Sequence, residues 1–295
     1  MRRRHCRQKG IRPPLAIYLS CYAYTQLGPM AISRWTVVSC MAASLTAFAI
    51  STRLLPFHQA YREHRASPGH RESFAISVVA PKQHRGLQEN YSLLIPARRF
   101  QSNVSDEEIL ARFTKGFFSG LVFTPERWLL KDVPFRITDI PAIQSTLASR
   151  SQSSTPGLVV GPEIWDRSSI SPKTTPSFGS FLFGGFLALD SSLLTQAQQD
   201  QLPDDYARHP RPPHPFIEFA YGGDALGLVG SHRFEVSRQG VEQATGTENF
   251  VKITLSSVVC EPKTGQGPSS KLLLWLHILY ARFLFSDGIR GVLTY

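Results

Sequence analysis

Acidic residues are absent from the first 62 positions of the sequence, although that stretch contains nine of the 32 Lys and Arg residues. The other 23 basic residues nearly balance the 22 Asp and Glu residues, so the basic character of the chain belongs to its N-terminus. A nucleic-acid-binding face needs positive charge clustered on the folded part of a protein. The charge distribution therefore argues against nucleic acid as a partner.

Cysteine is also scarce, since Cys6, Cys21 and Cys40 lie near the N-terminus and only Cys260 follows them. No disulfide can form within the sequence after residue 40, and a cysteine-based zinc site is excluded there. Cys260 ends the apolar run SSVVC. We expect a buried, inert thiol at this position, because free cysteine is among the most buried residue types.

Signatures of common catalytic and nucleotide-binding sites are missing as well. The sequence has no G-x-S-x-G, no P-loop and no H-E-x-x-H, and GQGPSS lacks the third glycine of G-x-G-x-x-G. His209 and His214 lie in ARHPRPPHPF, where the proline content favours an exposed extended loop over a metal site. We therefore expect neither a metal nor a cofactor.

The N-terminal leader contains an uncharged run of 18 residues, 35–52, between Arg34 and Arg53. About 20 apolar residues span a bilayer, so this run predicts a single-pass anchor. By the positive-inside rule, the basic N-terminus stays in the cytosol and the rest of the chain lies on the lumenal or extracytoplasmic side. The sequons at Asn90 and Asn103 suit that side and predict a glycoprotein.

Two other interpretations of the leader remain open. Read from Met30, it has a short basic region, an apolar region and the cleavage-like triplet 47–49 (AFA), which is the form of a secretory signal peptide. An acid-free N-terminus with Arg and Ser also resembles a mitochondrial presequence. The chain is accordingly divided into a basic leader over 1–57, a polar linker over 58–72 and a single α+β domain over 73–295.

The predicted domain begins with short strand-like runs, FAISVVA (74–80) and NYSLLIPA (90–97). Ser105 and Glu108 then form a capping box ahead of a helix that extends to about residue 121. Thr124-Pro125 starts a second short helix over 125–131. The following strand-like runs are separated by Pro, Gly and Ser clusters: 133–138, 157–160, 178–189, 216–221, 226–237 and 250–259.

The last predicted element is an apolar helix over 271–285, ended by Ser286-Asp287-Gly288. If the strands pair with their neighbours in sequence, they form a curved antiparallel sheet that this long C-terminal helix can cover. A helix laid across a curved sheet leaves a cavity between the two, where small apolar ligands can bind. The sequence therefore predicts an α+β fold with a sheet wrapped on its C-terminal helix.

The run FIEFAYGGDALGLVGSHRFEV over 216–236 predicts a hairpin with a glycine-rich turn. Its Phe-Ala-Tyr-Gly strand (219–222), its strand from Gly230 to Phe-Glu-Val (234–236) and the elements after it resemble one poorly characterised family. That family belongs to the START-like superfamily of lipid-transfer and polyketide-cyclase proteins, and the resemblance covers residues 216–285. It implies the helix-grip fold and assigns no chemistry.

Alternation along the hairpin places His232 on one strand face with Phe234, while Arg233 and Glu235 lie on the other face, which we expect to be solvated. A cavity histidine can act as a general base, and Tyr221 or Asp224 could orient it or polarise a carbonyl group. The candidate catalytic residues are therefore His232, Tyr221 and Asp224. The candidate ligand-binding residues are Phe219, Phe234, Trp275 and His277.

Two functional hypotheses follow. The first is a membrane-tethered module that binds a hydrophobic small molecule, lipid-like or polyketide-like, under the C-terminal helix. The second is an enzyme of the same fold, a cyclase, isomerase or hydrolase that uses His232 as its base. A purely structural role would be favoured instead if the interior were filled completely by Phe117, Phe181, Phe183 and Trp275.

Overall fold

The computed structural model describes residues 61–63, 65–79, 86–101, 103–132, 161–199, 202, 206–223, 228–243, 246–261, 264–267 and 271–294. The predicted leader, its hydrophobic run and the predicted strands over 133–138 and 157–160 lie outside these residues. Among the helices in the described ranges, none combines enough length and apolar character to cross a bilayer.

The described residues form an α+β fold around one open sheet of eight strands, with the order β1-β2-β8-β7-β6-β5-β4-β3. Every neighbouring pair is antiparallel except β3 and β4, which are parallel. The strands are β1 (Tyr61–Glu63), β2 (Leu87–Pro96), β3 (Glu163–Ile164), β4 (Phe181–Leu182), β5 (Phe186–Ser191), β6 (Phe216–Gly223), β7 (Leu228–Gln243) and β8 (Gly246–Cys260).

Five α-helices accompany the sheet in the described ranges: α1 (Phe74–Val79), α2 (Asp106–Ser119), α3 (Thr124–Asp132), α4 (Gln196–Gln199) and α5 (Lys271–Thr294). The predicted start of α2 is confirmed. The Ser105 side chain accepts a hydrogen bond from the Glu108 backbone N–H at 3.1 Å, as an N-cap residue does. The predicted short helix after Thr124 is confirmed as α3.

The hairpin predicted over 216–236 is confirmed by the antiparallel pairing of β6 with β7, which extends to Gly223 opposite Leu228. Gly222 has a φ of 93°, in the left-handed region that favours glycine. The β7 strand then pairs with β8 from Val229 to Gln243. The first long strand, β2, also pairs with β8, which is the last strand in sequence.

The run FAISVVA was predicted to be a strand, and that prediction is wrong, because Phe74–Val79 forms helix α1. Five of its six residues are buried, and the helix packs against β5, β6 and β7. A short, almost wholly apolar run carries no periodicity that separates a buried strand from a buried helix. Here tertiary packing on the sheet decides the conformation.

The C-terminal helix extends to Thr294, nine residues beyond its predicted end. Asp287 does not stop the helix because its carboxylate accepts a hydrogen bond from the Val122 backbone N–H at 2.8 Å. Gly288 lies where a Cβ atom would come within 2.5 Å of the Phe113 ring. Asp287 and Gly288 of the expected stop signal are therefore used for close packing of α5 against α2 and the turn that follows it.

The sheet is covered on both faces. Helices α2 and α5 pack on one face, which we call the helix face, through rings such as Phe113 and Phe285, whose centroids are 5.7 Å apart. The segment 65–79 covers the opposite face, which we call the strap face. Residues 58–72 were assigned to a linker by the sequence, and the part of them that the structure describes contains β1 and the buried side chains of Ser67 and His70.

The prediction that Arg233 and Glu235 form a solvated face is wrong. The alternation itself is correct, since both side chains lie on the strap face, away from His232 and Phe234. However, Arg233 is 0% exposed and Glu235 is 6% exposed, because the strap lies over them. Alternation in a strand separates its two faces but does not show what covers each one.

Candidate functional site

The helix face has an aromatic core that encloses one end of the β6–β7 hairpin. Phe234 of β7 packs against Phe113, Phe117 and Phe219, with ring centroids 5.0, 4.8 and 5.4 Å away. Phe118 contacts Phe219 at 5.1 Å. All five rings are fully buried. Phe219 and Phe234 point to this face because side chains alternate along a strand. The other three rings lie at helical spacing along α2.

Four polar side chains interrupt this apolar interior between the sheet and α5. Tyr221, His232 and Ser257 come from adjacent strands β6, β7 and β8, and His277 comes from α5. His232 and Ser257 are direct cross-strand partners. His277 is close enough to His232 for its charge to affect the pKa of that residue. We call these four residues the interior site.

Tyr221 and His232 are in direct contact within the interior site, with ring centroids 4.4 Å apart and an angle of 31° between the ring planes. The Tyr221 ring lies over Gly230, where an added Cβ atom would come within 2.7 Å of its hydroxyl oxygen. Glycine at position 230 therefore makes room for the tyrosine. Phe117 and Phe186 pack around the His232 ring at 5.8 and 6.2 Å.

A polar atom of each residue in the interior site is buried without a hydrogen-bond partner in the described structure. These atoms are the Tyr221 hydroxyl, His232 Nδ1, the Ser257 hydroxyl and His277 Nε2. The Ser257 hydroxyl lies close enough to the Tyr221 hydroxyl to lower its pKa as a hydrogen-bonding neighbour, but the geometry between the two hydroxyls does not complete a hydrogen bond. Leaving a buried polar group unsatisfied costs about 1–3 kcal/mol, so four at one place require an explanation.

Burial keeps the interior site uncharged. Loss of solvation lowers the pKa of His232 well below its ordinary value, and the nearby His277 lowers it further. Burial also lowers the pKa of His277 to about 4. The pKa of the Tyr221 hydroxyl is raised by burial, and the Ser257 hydroxyl opposes this only in part. At neutral pH the four side chains therefore offer neutral donors and acceptors.

A carboxyl group lies beside the interior site on α3. The Glu126 carboxylate accepts a hydrogen bond from the Tyr280 hydroxyl of α5 at 2.7 Å. Burial raises the pKa of Glu126 to about 7, against the opposing effect of the Tyr280 hydrogen bond. Its charge also acts on the Tyr221 hydroxyl. Glu126 is thus a group that can change protonation near neutral pH at the border of the site.

A second carboxylate, Glu89 of β2, lies opposite Ser257 across the β2–β8 pair. It is fully buried and accepts a hydrogen bond from Arg62 at 2.9 Å and a longer one from Tyr91 at 3.4 Å. Tyr91 also donates to the Ile278 carbonyl oxygen at 2.9 Å, which ties β2 to α5. Glu89 is therefore already neutralised by an arginine.

The structure brings three of the residues selected from the sequence together, namely Tyr221, His232 and His277. Phe219 and Phe234 lie in the aromatic core on the same face. Asp224 is outside the described residues. Trp275 lies on α5, two residues before His277, and its side chain is likewise outside the described part of the structure.

Sequence reasoning missed Ser257, Glu126 and Tyr280. Alternation along β8 gives a signal for Ser257, since it shares a face with apolar residues at 253 and 255. Glu126 gave no such signal, because an acid in the first turn of a helix is fully explained by the helix dipole. Its pairing with Tyr280 depends on how α3 and α5 meet in the folded chain.

The strap face holds a separate cluster of polar side chains. His70 Nδ1 lies 2.8 Å from the Ser256 hydroxyl, and His70 Nε2 lies 3.2 Å from the Glu218 carboxylate. This resembles the arrangement of a catalytic triad, but His70, Glu218 and Ser256 are all 0% exposed. The cluster therefore fastens the strap to the sheet and offers no access to a substrate.

The other candidate reactive groups are accounted for by their surroundings. Cys260 is buried as expected, and burial raises the pKa of its thiol to about 11. His214 lies 3.1 Å from Glu235, and His209 Nδ1 lies 2.8 Å from the Glu72 carbonyl oxygen. No group of three or more His, Cys, Asp or Glu residues within the described ranges is arranged to hold a metal ion.

Comparison of the chain with protein-family models, with curated proteins and with solved structures gave no match.

Proposed function

We propose that the protein binds an apolar small molecule between the sheet and α5, with its polar end at the interior site. The observation that carries this proposal is the set of four unpartnered polar atoms on Tyr221, His232, Ser257 and His277. Most ligand pockets are apolar with a few placed polar groups. A ligand with matching groups would supply the missing hydrogen bonds.

The order of the elements supports the finer assignment to a helix-grip fold of the START-like type. Two helices, α2 and α3, follow the first long strand, and a run of strands leads to β8 and then to α5. β8 lies between β2 and β7 in the sheet, and α5 follows β8 in sequence. The last helix can therefore fold back over the sheet. In this proposal the leader tethers the domain to a membrane, with the domain on the lumenal side.

A purely structural role accounts for only part of the interior. Phe117 and Phe183 are fully buried and Phe181 nearly so, as that role requires. It gives no reason for polar atoms to lie unsatisfied beside these rings, since apolar residues of the same shape would avoid the cost. Ligand binding accounts for both the rings and the polar atoms.

An enzyme that uses His232 as a base is the second candidate, and the unpartnered Nδ1 of His232 favours it. A free imidazole nitrogen facing an apolar site can accept a proton from a bound molecule. The lowered pKa of His232 makes this nitrogen a weak base, and no carboxylate among the described residues orients the ring. Binding is therefore the first proposal.

Equilibrium dialysis of the full-length chain in lipid nanodiscs tests this function, with 2-naphthol as the probe and empty nanodiscs to subtract partitioning. We expect saturable binding of one probe per chain. Ser257→Leu places an apolar side chain where the ligand would lie, and we expect it to abolish saturable binding. Ser237→Leu, at a half-exposed position of β7, serves as the matched control and should bind like the original chain.

Circular dichroism and the urea unfolding midpoint would verify that both variants are folded. If the original chain shows saturable binding neither of 2-naphthol nor of its charged analogues 2-naphthoate and 2-naphthylmethylammonium, the proposed function is overturned. Equal binding by Ser257→Leu and Ser237→Leu would place the ligand elsewhere and would overturn the assignment to the interior site.

A further inference from the structure

The interior site has properties that select among chemical classes of ligand. We infer that the group held by Tyr221, His232, Ser257 and His277 is uncharged and oxygenated, a hydroxyl or carbonyl group on an apolar ring system, in place of a carboxylate, a phosphate or an ammonium group. This inference rests on the proposed function and specifies its ligand.

The unpartnered atoms of the interior site can both donate and accept hydrogen bonds. The hydroxyls of Tyr221 and Ser257 can each donate one hydrogen bond and accept others, and the free nitrogens of His232 and His277 donate or accept according to tautomer. Such a set suits a hydroxyl group, which both donates and accepts, or a carbonyl oxygen, which accepts twice. It supplies no formal charge.

An anionic ligand would need positive charge at the interior site, and three nearby arginines are engaged elsewhere. The guanidinium of Arg127 is directed into the turn between α2 and α3, where it donates to the carbonyl oxygens of Phe118 and Gly120. Arg62 is held by Glu89. Arg233 lies on the strap face, bound to Glu218. None of these three arginines is directed at the interior site.

Two carboxyl groups, those of Glu89 and Glu126, border the interior site. Glu89 and Glu126 both affect the Tyr221 hydroxyl electrostatically, so an added carboxylate or phosphate would meet repulsion there. An ammonium group would also be disfavoured, because a buried cation needs a fully ionised carboxylate. Glu89 already has Arg62 as its partner, and Glu126, whose pKa is raised to about 7, is only partly ionised at neutral pH. A neutral polar group avoids both costs.

Aromatic rings around His232 bear on the apolar part of the ligand. The rings of Phe117, Phe186 and Tyr221 surround His232 with centroids 4.4 to 6.2 Å from its own. Aromatic side chains at these separations favour stacked or edge-to-face contacts with another flat ring. The geometry therefore fits a flat or fused-ring molecule whose oxygen function enters the interior site.

Three probes that share one ring system test this inference: 2-naphthol, 2-naphthoate and 2-naphthylmethylammonium. Their dissociation constants would be measured by equilibrium dialysis with the full-length chain in nanodiscs of uncharged lipid at neutral pH. We expect 2-naphthol to bind at least about tenfold more tightly than either charged probe, since burying an unpaired charge is costly. A charged probe that binds as tightly as 2-naphthol would overturn the inference while leaving the proposed function intact.

Two variants test whether the Tyr221 and Ser257 hydroxyls bind the oxygen of 2-naphthol. Tyr221→Phe and Ser257→Ala each remove one hydroxyl, and each should weaken 2-naphthol binding about fivefold or more, while naphthalene binding should be unchanged or tighter. Ser237→Ala is the control and should alter neither. If both hydroxyl variants bind 2-naphthol like the original chain, these side chains do not hold the oxygen and the inference fails. Loss of saturable binding for every probe would instead overturn the proposed function.

Discussion

Arg233 and Glu218 form an ion pair that is wholly buried between the sheet and the strap. Two guanidinium nitrogens of Arg233 donate to one carboxylate oxygen of Glu218, at 3.0 and 3.1 Å. The other carboxylate oxygen accepts hydrogen bonds from Ser73 at 2.7 Å and from Ser231 at 2.6 Å. Burial raises the pKa of Glu218, but Arg233 and His70 outweigh this and hold it below its usual range.

Glu218→Gln should therefore lower the free energy of unfolding by about 3–5 kcal/mol, because it leaves the Arg233 charge buried without its partner. Urea denaturation of the full-length chain would measure the change. Asp106→Asn is the matched control, since Asp106 accepts a hydrogen bond from Arg238 at 2.7 Å in a partly exposed pair. That substitution should cost less than about 1 kcal/mol.

The double variant Glu218→Leu with Arg233→Met separates the charge from the packing. Replacing both members of a buried pair with apolar residues is often neutral, so we expect the double variant to be more stable than Glu218→Gln. A Glu218→Gln variant no less stable than Asp106→Asn would show that the strap does not seal the pair from water.

The local signals in the sequence were sufficient for much of the fold. Ser105 and Glu108 predicted the start of α2, because a cap depends only on residues within one turn. Gly222 and the alternation on either side of it predicted the β6–β7 hairpin and placed His232 and Phe234 on one face. The same alternation also predicted two residues of the interior site, Tyr221 and His232.

The remaining features depend on contacts between residues far apart in sequence. The run over 74–79 forms a helix because it packs on the sheet, and Arg233 is buried because residues 65–73 lie over it. In the sequence, Asp287 is typical of a helix end, yet its carboxylate accepts a hydrogen bond from the Val122 backbone N–H in the turn before α3. Composition and periodicity describe each element alone and do not show which elements meet.

Tyr221→Phe provides a test of whether the interior site lacks partners. Removing an unsatisfied buried hydroxyl is neutral or stabilising, so the free energy of unfolding should be unchanged or raised by about 1 kcal/mol without ligand. Tyr91→Phe is the same substitution at a hydroxyl that donates to the Ile278 carbonyl oxygen at 2.9 Å. It should lower the free energy of unfolding by about 1 kcal/mol.

Urea denaturation of both variants side by side makes the comparison. A loss of stability in Tyr221→Phe equal to that in Tyr91→Phe would mean that the Tyr221 hydroxyl has a structural partner, such as Ser257. The interior site would then contain at most three unpartnered polar atoms in place of four.

The crossing of α2 and α5 should not tolerate side chains at its glycines. An added Cβ at Gly116 would lie 2.6 Å from the Asp287 carbonyl oxygen, and one at Gly291 would lie 2.6 Å from the Gly116 Cα atom. In an open helix, replacing glycine with alanine gains about 1 kcal/mol. Here we expect Gly116→Ala to lose about 2–3 kcal/mol, because the two helices must separate.

Thermal unfolding followed by circular dichroism would measure this loss. Glu107→Ala, at a partly exposed position of α2, is the control and should change the free energy of unfolding by less than about 0.5 kcal/mol. A gain in stability for Gly116→Ala would mean that the helices are farther apart at this crossing than described.

Glu126 should make stability fall as the pH rises toward neutrality. Burial raises its pKa in the folded chain to about 7, from an ordinary value of 4.5. A carboxyl group whose pKa is raised by folding contributes stability that is fully present below its unfolded pKa. That stability is lost as the pH rises through the folded value. The affected window therefore runs from 4.5 to about 7.

Glu126→Gln keeps an acceptor for the Tyr280 hydroxyl and removes the ionisation. We expect the variant to match the original chain at about pH 5 and to exceed it by about 1–2 kcal/mol at about pH 8, a value reduced for partial exposure. Urea midpoints at both pH values give the difference, in which the contributions of other groups cancel. Glu107→Gln removes a partly exposed carboxylate at the start of α2, away from the interior site, and serves as the control for the loss of one acidic side chain. An equal difference between Glu126→Gln and the original chain at both pH values would mean that Glu126 is ionised throughout. The border of the interior site would then carry a full negative charge, which would exclude anionic ligands still more strongly and would make a cationic ligand the better fit.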